Sequence, residues 1–210
     1  MISLSEILHT IAQALMIPCL IILIILMAGA VWQIGDIVVE YIAERRKHKC
    51  NVPQLLRDVH AAGADGLAEL IENSGLLRRQ KKALLELVES RGLPKDTLTA
   101  LAERLLATEE ARNARTTSIT DMIAKLGPMF GLLGTLIPLG PGIVALGQGD
   151  TVTLSESMNV AFDTTIAGVI SAAVASVISH IRKRWYNDDM VSLETLMEAV
   201  LEEVTSDVEG

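Results

Sequence analysis

The sequence predicts an all-α integral membrane protein with three transmembrane helices, N-terminus out and C-terminus in, and long helices extending into the cytoplasm. Two observations carry that expectation. Half of the 210 residues are hydrophobic. They are also gathered into blocks: residues 7–35 and 126–149 hold no formal charge, and residues 157–181 hold one, Asp163. About 20 predominantly apolar residues suffice for a helix to cross the hydrocarbon core, so each block is long enough. Any one block could be a buried helix of a water-soluble protein, but three would leave too little polar surface to cover them.

Taken in order, residues 1–42 form an N-terminal segment and the first transmembrane helix. MISLSEILHT places no Lys or Arg ahead of the apolar run, and that run exceeds a signal-peptide core, so it is expected to remain as a span. Residues 43–121 read as a cytoplasmic helical region. Leu70, Leu76, Leu77, Leu84, Leu85 and Val88 recur at helical spacing, with breaks at Gly63, Asn73-Ser74-Gly75 and Gly92-Leu93-Pro94. A further helix starts at Pro94, and no Gly or Pro interrupts it before Gly127, so it is expected to run into the second span at 122–146. Residues 147–158 are an extracytoplasmic loop and 159–181 the third span. Residues 182–210 are a cytoplasmic amphipathic helix with Met190, Leu193, Leu196, Met197, Val200, Leu201 and Val204 on its apolar face.

Lys and Arg mark the cytoplasmic side of a span. Glu44-Arg45-Arg46-Lys47-His48-Lys49 follows the first span, Lys125 stands just before the charge-free run of the second, and Arg182-Lys183-Arg184 follows the third. Residues 1–9 and 147–158 have neither Lys nor Arg. The orientation is therefore the same at every junction. Trp32, Tyr41, Trp185 and Tyr186 gather toward the same interface, where amphipathic rings prefer to sit.

The spans are patterned by size. Residues 127–142, GPMFGLLGTLIPLGPG, hold five of the chain's 15 glycines and three of its six prolines. On a helical wheel Gly127, Gly131, Gly134, Pro138 and Gly142 fall within about 80° of one another, flanked by Thr135, with Leu132, Leu133, Leu136, Leu139 and Ile143 opposite. Small residues let helix backbones approach in lipid, so Gly127, Gly131, Gly134, Pro138 and Gly168 are candidate packing positions. In the third span Thr165, Gly168, Ala172, Ala175, Ser176 and Ser179 share a small, weakly polar face, with Thr164 and Ser171 at its edge. These faces suit helix packing or the wall of a polar pathway. Ionisable residues inside a membrane are expensive and functional by default, which makes Asp163 a candidate for ion handling. It also sits about a turn from the outer end, where it could serve the interface, and points about 160° away from Thr165.

Catalysis and nucleic-acid binding find little support. Cys19 and Cys50 follow no metal or redox spacing, and His9, His48, His60 and His180 are scattered. No nucleophile–base pair, phosphate-cradling loop, metal site or cofactor site is expected. The basic clusters flank spans and aromatics make up 3% of the chain, so nucleic acid is not an expected partner.

Three spans with a large cytoplasmic region after the first, Gly127-Pro-Met-Phe-Gly-Leu-Leu-Gly-Thr135 in the second, Ala161-Phe-Asp-Thr-Thr-Ile-Ala-Gly-Val169 in the third and the approach Glu110-Ala-Arg-Asn-Ala-Arg115 together resemble the MotA/TolQ/ExbB proton-channel family, closest in layout to ExbB and TolQ. The resemblance implies a homopentamer in the inner or plasma membrane of a prokaryote. Its second and third spans would surround the single-span helices of a partner resembling ExbD, TolR or MotB. It implies that Thr135 and Thr165 face the pore with Thr164 and Asp163 nearby, and that proton passage (sodium being the alternative) drives motion of one component within the other. The family's glutamate in span three would fall near Val160, and Asp163 is the nearest acid. A non-conducting membrane scaffold that anchors and recruits partners is the other function these features allow.

Overall fold

The computed structural model describes residues 4–45 and 51–209; Arg46, Lys47, His48, Lys49 and Cys50, which carry much of the expected basic cluster, lie outside the described residues. Every element among the described residues is helical: α1 (Leu4–Ala14), α2 (Met16–Glu40), a π-helical turn (Tyr41–Arg45), α3 (Val52–Asn73), α4 (Arg78–Glu89), α5 (Lys95–Gly147) and α6 (Thr151–Glu209). Among the described residues, three helical stretches are long and apolar enough to cross a membrane: Glu6–Ala43, Lys95–Gly147 and Thr151–Ser206. The helix expected to start at Pro94 and run on into the second apolar block without a break does so, since α5 is one helix of 53 residues. The third span and the C-terminal helix are likewise a single element, α6, of 59 residues.

The segment expected as a loop over 147–158 is shorter. Only Gln148, Gly149 and Asp150 lie outside helix. Gly149 adopts φ 75°, a conformation that glycine reaches without steric cost. Its N–H donates to the Leu146 carbonyl at 3.1 Å, and that of Asp150 donates to the Ala145 carbonyl at 2.9 Å. This is the Schellman pattern that satisfies the last carbonyls of a helix. Asp150 then opens α6. Its carboxylate accepts from the backbone N–H of Val152 and of Thr153, both at 3.1 Å, and from the Thr153 hydroxyl at 2.6 Å. Those bonds, the Thr153 hydroxyl first, hold the exposed Asp150 carboxyl below the usual carboxylate range. The run TVTLSESM reads as loop from its β-branched and hydroxyl residues, but a strong N-cap and the packing of Leu154 and Ser157 beside Gly142 make it helix.

The chain divides into two compact units. The first takes residues 4–37 and 117–181. Here α2 buries Cys19, Leu23, Leu26, Ala30 and Gln33, a stripe at alternating four- and three-residue spacing. Leu26 and Ala30 pack with Ile123 of α5 and Ala175 of α6. The Cys19 thiol donates to the Phe130 carbonyl at 3.4 Å.

The second unit takes residues 38–116 and 182–209. Leu55, Val59, Leu67, Ile71, Leu76, Leu84, Leu87, Leu98, Leu193, Leu196, Met197, Val200 and Val204 form its core. The chain turns within α3 at Gly63, whose φ is 60°. Gln80 joins two elements: its carbonyl accepts from the Leu77 N–H at 3.2 Å, and its amide donates to the Asp189 carbonyl at 3.0 Å. Arg182, 3% exposed, donates through Nε to Glu40 at 3.1 Å, and Tyr41 stacks on Trp185 with ring centroids 6.2 Å apart. Burial, reinforced by the Glu40 charge, pushes the phenol of half-buried Tyr186 up to about 12.

Two outcomes are expected. A Cβ on Gly168 would stand 2.5 Å from the Gly127 carbonyl oxygen and 2.9 Å from the Gly131 Cα. Gly168→Ala should therefore destabilise the protein by about 1–3 kcal/mol, whereas Gly147→Ala, with nothing near it, should not, as read by unfolding in detergent micelles. Tyr186 stays protonated in the fold after free tyrosine has ionised. Its contribution to stability should be intact below pH 10 and lost as pH rises toward 12. Melts across that window should show the loss in the native protein and a smaller one in Tyr186→Phe.

Candidate functional site

The candidate site is built on the α5–α6 hairpin of the first unit. The contact between these helices is made by backbone. A Cβ on Gly127 would meet the Gly168 carbonyl oxygen at 2.7 Å, one on Gly131 would meet the Gly168 Cα and the Thr164 carbonyl oxygen at 3.4 Å, and one on Gly134 would meet the Thr164 side chain at 2.6 Å. Further toward the turn, Gly142 lies against Ser157. At the other end the Ser179 hydroxyl donates to the Asp121 carboxylate at 2.5 Å. Pairings of 142 with 157, 134 with 164, 131 with 168 and 121 with 179 describe one antiparallel register held from end to end.

The expected packing set is therefore brought together: Gly127, Gly131, Gly134 and Gly168 form the seam, and Pro138 is buried along the same line. On α6 the seam consists of Thr164, Gly168, Ser171, Ala172, Ala175 and Ser179, all buried. Thr164 and Ser171, expected at its edge, lie in it, while Ser176 is exposed. The wheel placed the face slightly off because it weighed small residues equally and could not know which ones meet a glycine. Thr164, expected beside an ion path, is only 4% exposed and is the side chain that fills the space left by Gly134.

Thr135 and Thr165 occupy a different place. Each follows a seam residue by one position, Gly134 and Thr164 respectively. In an antiparallel pair of right-handed helices, the residue after the seam falls on the same side of the hairpin in both. Thr135 and Thr165 therefore share one side at one depth, and both are half-exposed. Each donates its hydroxyl to its own helix, Thr135 to the Leu132 carbonyl at 2.7 Å and Thr165 to the Ala161 carbonyl at 3.0 Å. A hydroxyl with its hydrogen committed still has lone pairs to offer, so this side presents acceptors, the polarity that suits a cation. Ser176 lies on the same side. Asp163 precedes the seam by one position and falls on the opposite side with Leu133; it is exposed. The hairpin does not bring Asp163 to the threonines.

The sequence pattern missed Thr120 and Gln33. Thr120 is fully buried and Gln33 is 6% exposed, and neither the Thr120 hydroxyl oxygen nor the Gln33 carbonyl oxygen has a hydrogen-bond partner among the described residues. Thr120 stands seven residues before Gly127 and so continues the glycine line, a signal that could have found it. Among the described residues, no three His, Cys, Asp or Glu side chains come together to hold a metal ion.

Comparison with curated proteins gives no match. A family model, the MotA/TolQ/ExbB proton channel family, matches residues 70–195. That stretch is more than half of the chain. It takes in the glycine seam, both half-exposed threonines and much of the helical region before them, and the chain belongs to the MotA/TolQ/ExbB proton channel family.

Proposed function

We propose that the chain is the channel subunit of an ion-motive-force-driven, energy-transducing motor. Five copies ring the single transmembrane helices of a partner resembling ExbD, TolR or MotB. The complex sits in the inner or plasma membrane of a prokaryote, with the N-terminus and the α5–α6 turn outside and residues 43–121 and the C-terminus in the cytoplasm. Protons are the coupling ion, with sodium as the alternative.

One observation carries this reading: Thr135 and Thr165 lie at one depth on one side of the hairpin, half-exposed, while Thr164 and Ser171 are buried in its seam. Facing the centre of a ring, that side lines a pore with neutral acceptors. A carboxylate on the enclosed helices then picks up and releases the ion without competition from a fixed charge on the wall. Because Asp163 is on the other side of the hairpin, it is assigned no part in the path. One elementary charge moving down 100 mV releases about 2.3 kcal/mol, so a few ions per step suffice for mechanical work. The family's channel character, together with this geometry, favours transduction over catalysis.

The test is ion flux into liposomes holding the chain and its partner. Thr135→Val and Thr165→Val keep side-chain volume and remove the acceptor, and are expected to abolish flux while the oligomer still assembles. Undiminished flux in the double variant would remove these residues from the path. The absence of flux from the native complex under any ion gradient would leave a scaffold that anchors and recruits partners.

A further inference from the structure

The two orphaned polar atoms lie in the first unit, at the end of the bundle away from the α5–α6 turn. Their relative position follows from two contacts between α2 and α5. Cys19 reaches the Phe130 carbonyl, and further along α2 a Cβ on Gly29 would lie 3.1 Å from Ile123. The helices run antiparallel, so the next level pairs Gln33, one turn beyond Gly29, with Thr120, one turn before Ile123. Both side chains are at least nine-tenths buried, and both carry an oxygen with no partner.

Burying such groups costs free energy unless they are hydrogen-bonded, and a buried unsatisfied group in a native protein calls for an explanation. The level above is apolar, made by Leu26, Ala30, Ile123 and Ala175. A carbonyl oxygen and a hydroxyl at one level are what a bridging water molecule requires: one acceptor for its hydrogen, and one group that both donates and accepts. The level is polar on all three helices, since Asp121 adjoins Thr120 and accepts from Ser179 of α6. Of the titratable residues near it in sequence, Asp36 on α2, Lys125 on α5 and His180 on α6 are exposed.

We propose that Gln33 and Thr120 hold a buried water site, which joins the Asp121–Ser179 pair into a hydrogen-bonded layer by which a hydrated proton leaves toward the cytoplasm. The apolar level formed by Leu26, Ala30, Ile123 and Ala175 keeps this water from reaching further into the subunit. A proton delivered to the layer passes from hydronium to the Asp121 carboxylate and from there to cytoplasmic water, with no net change in the layer. The water site stands on the orphaned atoms alone. The exit role rests on the channel reading proposed above.

The test uses the full-length oligomer in nanodiscs and in liposomes with its partner, comparing the native chain with Gln33→Leu/Thr120→Val. Infrared spectra in ordinary and oxygen-18 water are expected to show an isotope-shifted O–H band from bound water that the double variant loses. Proton flux in the variant is expected to fall several-fold. If the band is absent from the native protein, or persists in the variant while its melting temperature rises, the two atoms are a dry defect and the water site is overturned. If the band is lost but flux is unchanged, the exit role is overturned. If the native complex passes no ions yet shows the band, the channel reading fails and the water site survives.

Discussion

The closest constraint in the protein is the approach of two backbones, the Gly127–Gly131–Gly134 line of α5 against Gly168 and Thr164 of α6. In lipid there is no hydrophobic gain from bringing two apolar helices together, so association depends on how closely atoms can pack. Removing the Cβ atoms lets carbonyl and Cα surfaces touch and gives the hairpin one register along its whole length. That register also sorts the polar residues beside the seam. It puts Thr135 and Thr165 on one side at one depth, sends Asp163 to the other, and sets Ser179 against Asp121.

In the second unit a different interaction fixes register. Arg182 and Glu40 form an ion pair shielded from solvent, with the Tyr41–Trp185 stack alongside. Such a pair gives little net stability, because desolvation offsets attraction, but breaking it is costly. Sliding α6 by one turn would bury a guanidinium with no acceptor, so the pair selects one arrangement. It coincides with the π-helical turn Tyr41–Arg45 at the end of α2. Such turns are rare and are found frequently at functional sites.

Most of the architecture was legible in the sequence, because charge-free blocks and helical periodicity report directly on span and core. The breaks at Gly63, at residues 73–75 and at residues 92–94 were legible for the same reason, since glycine and proline act locally. The start of α6 was not. TVTLSESM looks like loop until the capping by Asp150 and the space beside Gly142 are known, and both are properties of the folded hairpin. Within the site, the wheel grouped the seam glycines correctly but could not separate Thr164 from Thr165. They are adjacent in sequence, and only the register of the partner helix decides which one is buried against a glycine. Gln33 escaped notice because a single amide in an apolar run carries no periodic signal. Its meaning comes from what faces it across α5.

The three-residue turn at Gln148–Asp150 has a consequence for kinematics. Its three backbone N–H groups all donate to the end of α5 and the Asp150 carboxylate accepts from the start of α6, so it holds little slack chain. A shift of one helix along the other by a single helical turn, about 5.4 Å, would need length that the turn does not have. The seam, where the Gly127 and Gly131 backbone meets that of Gly168 with no side chain between to re-pack, opposes such a shift. The hairpin is thus suited to move as one rigid body, and any displacement of α5 would carry α6 with it.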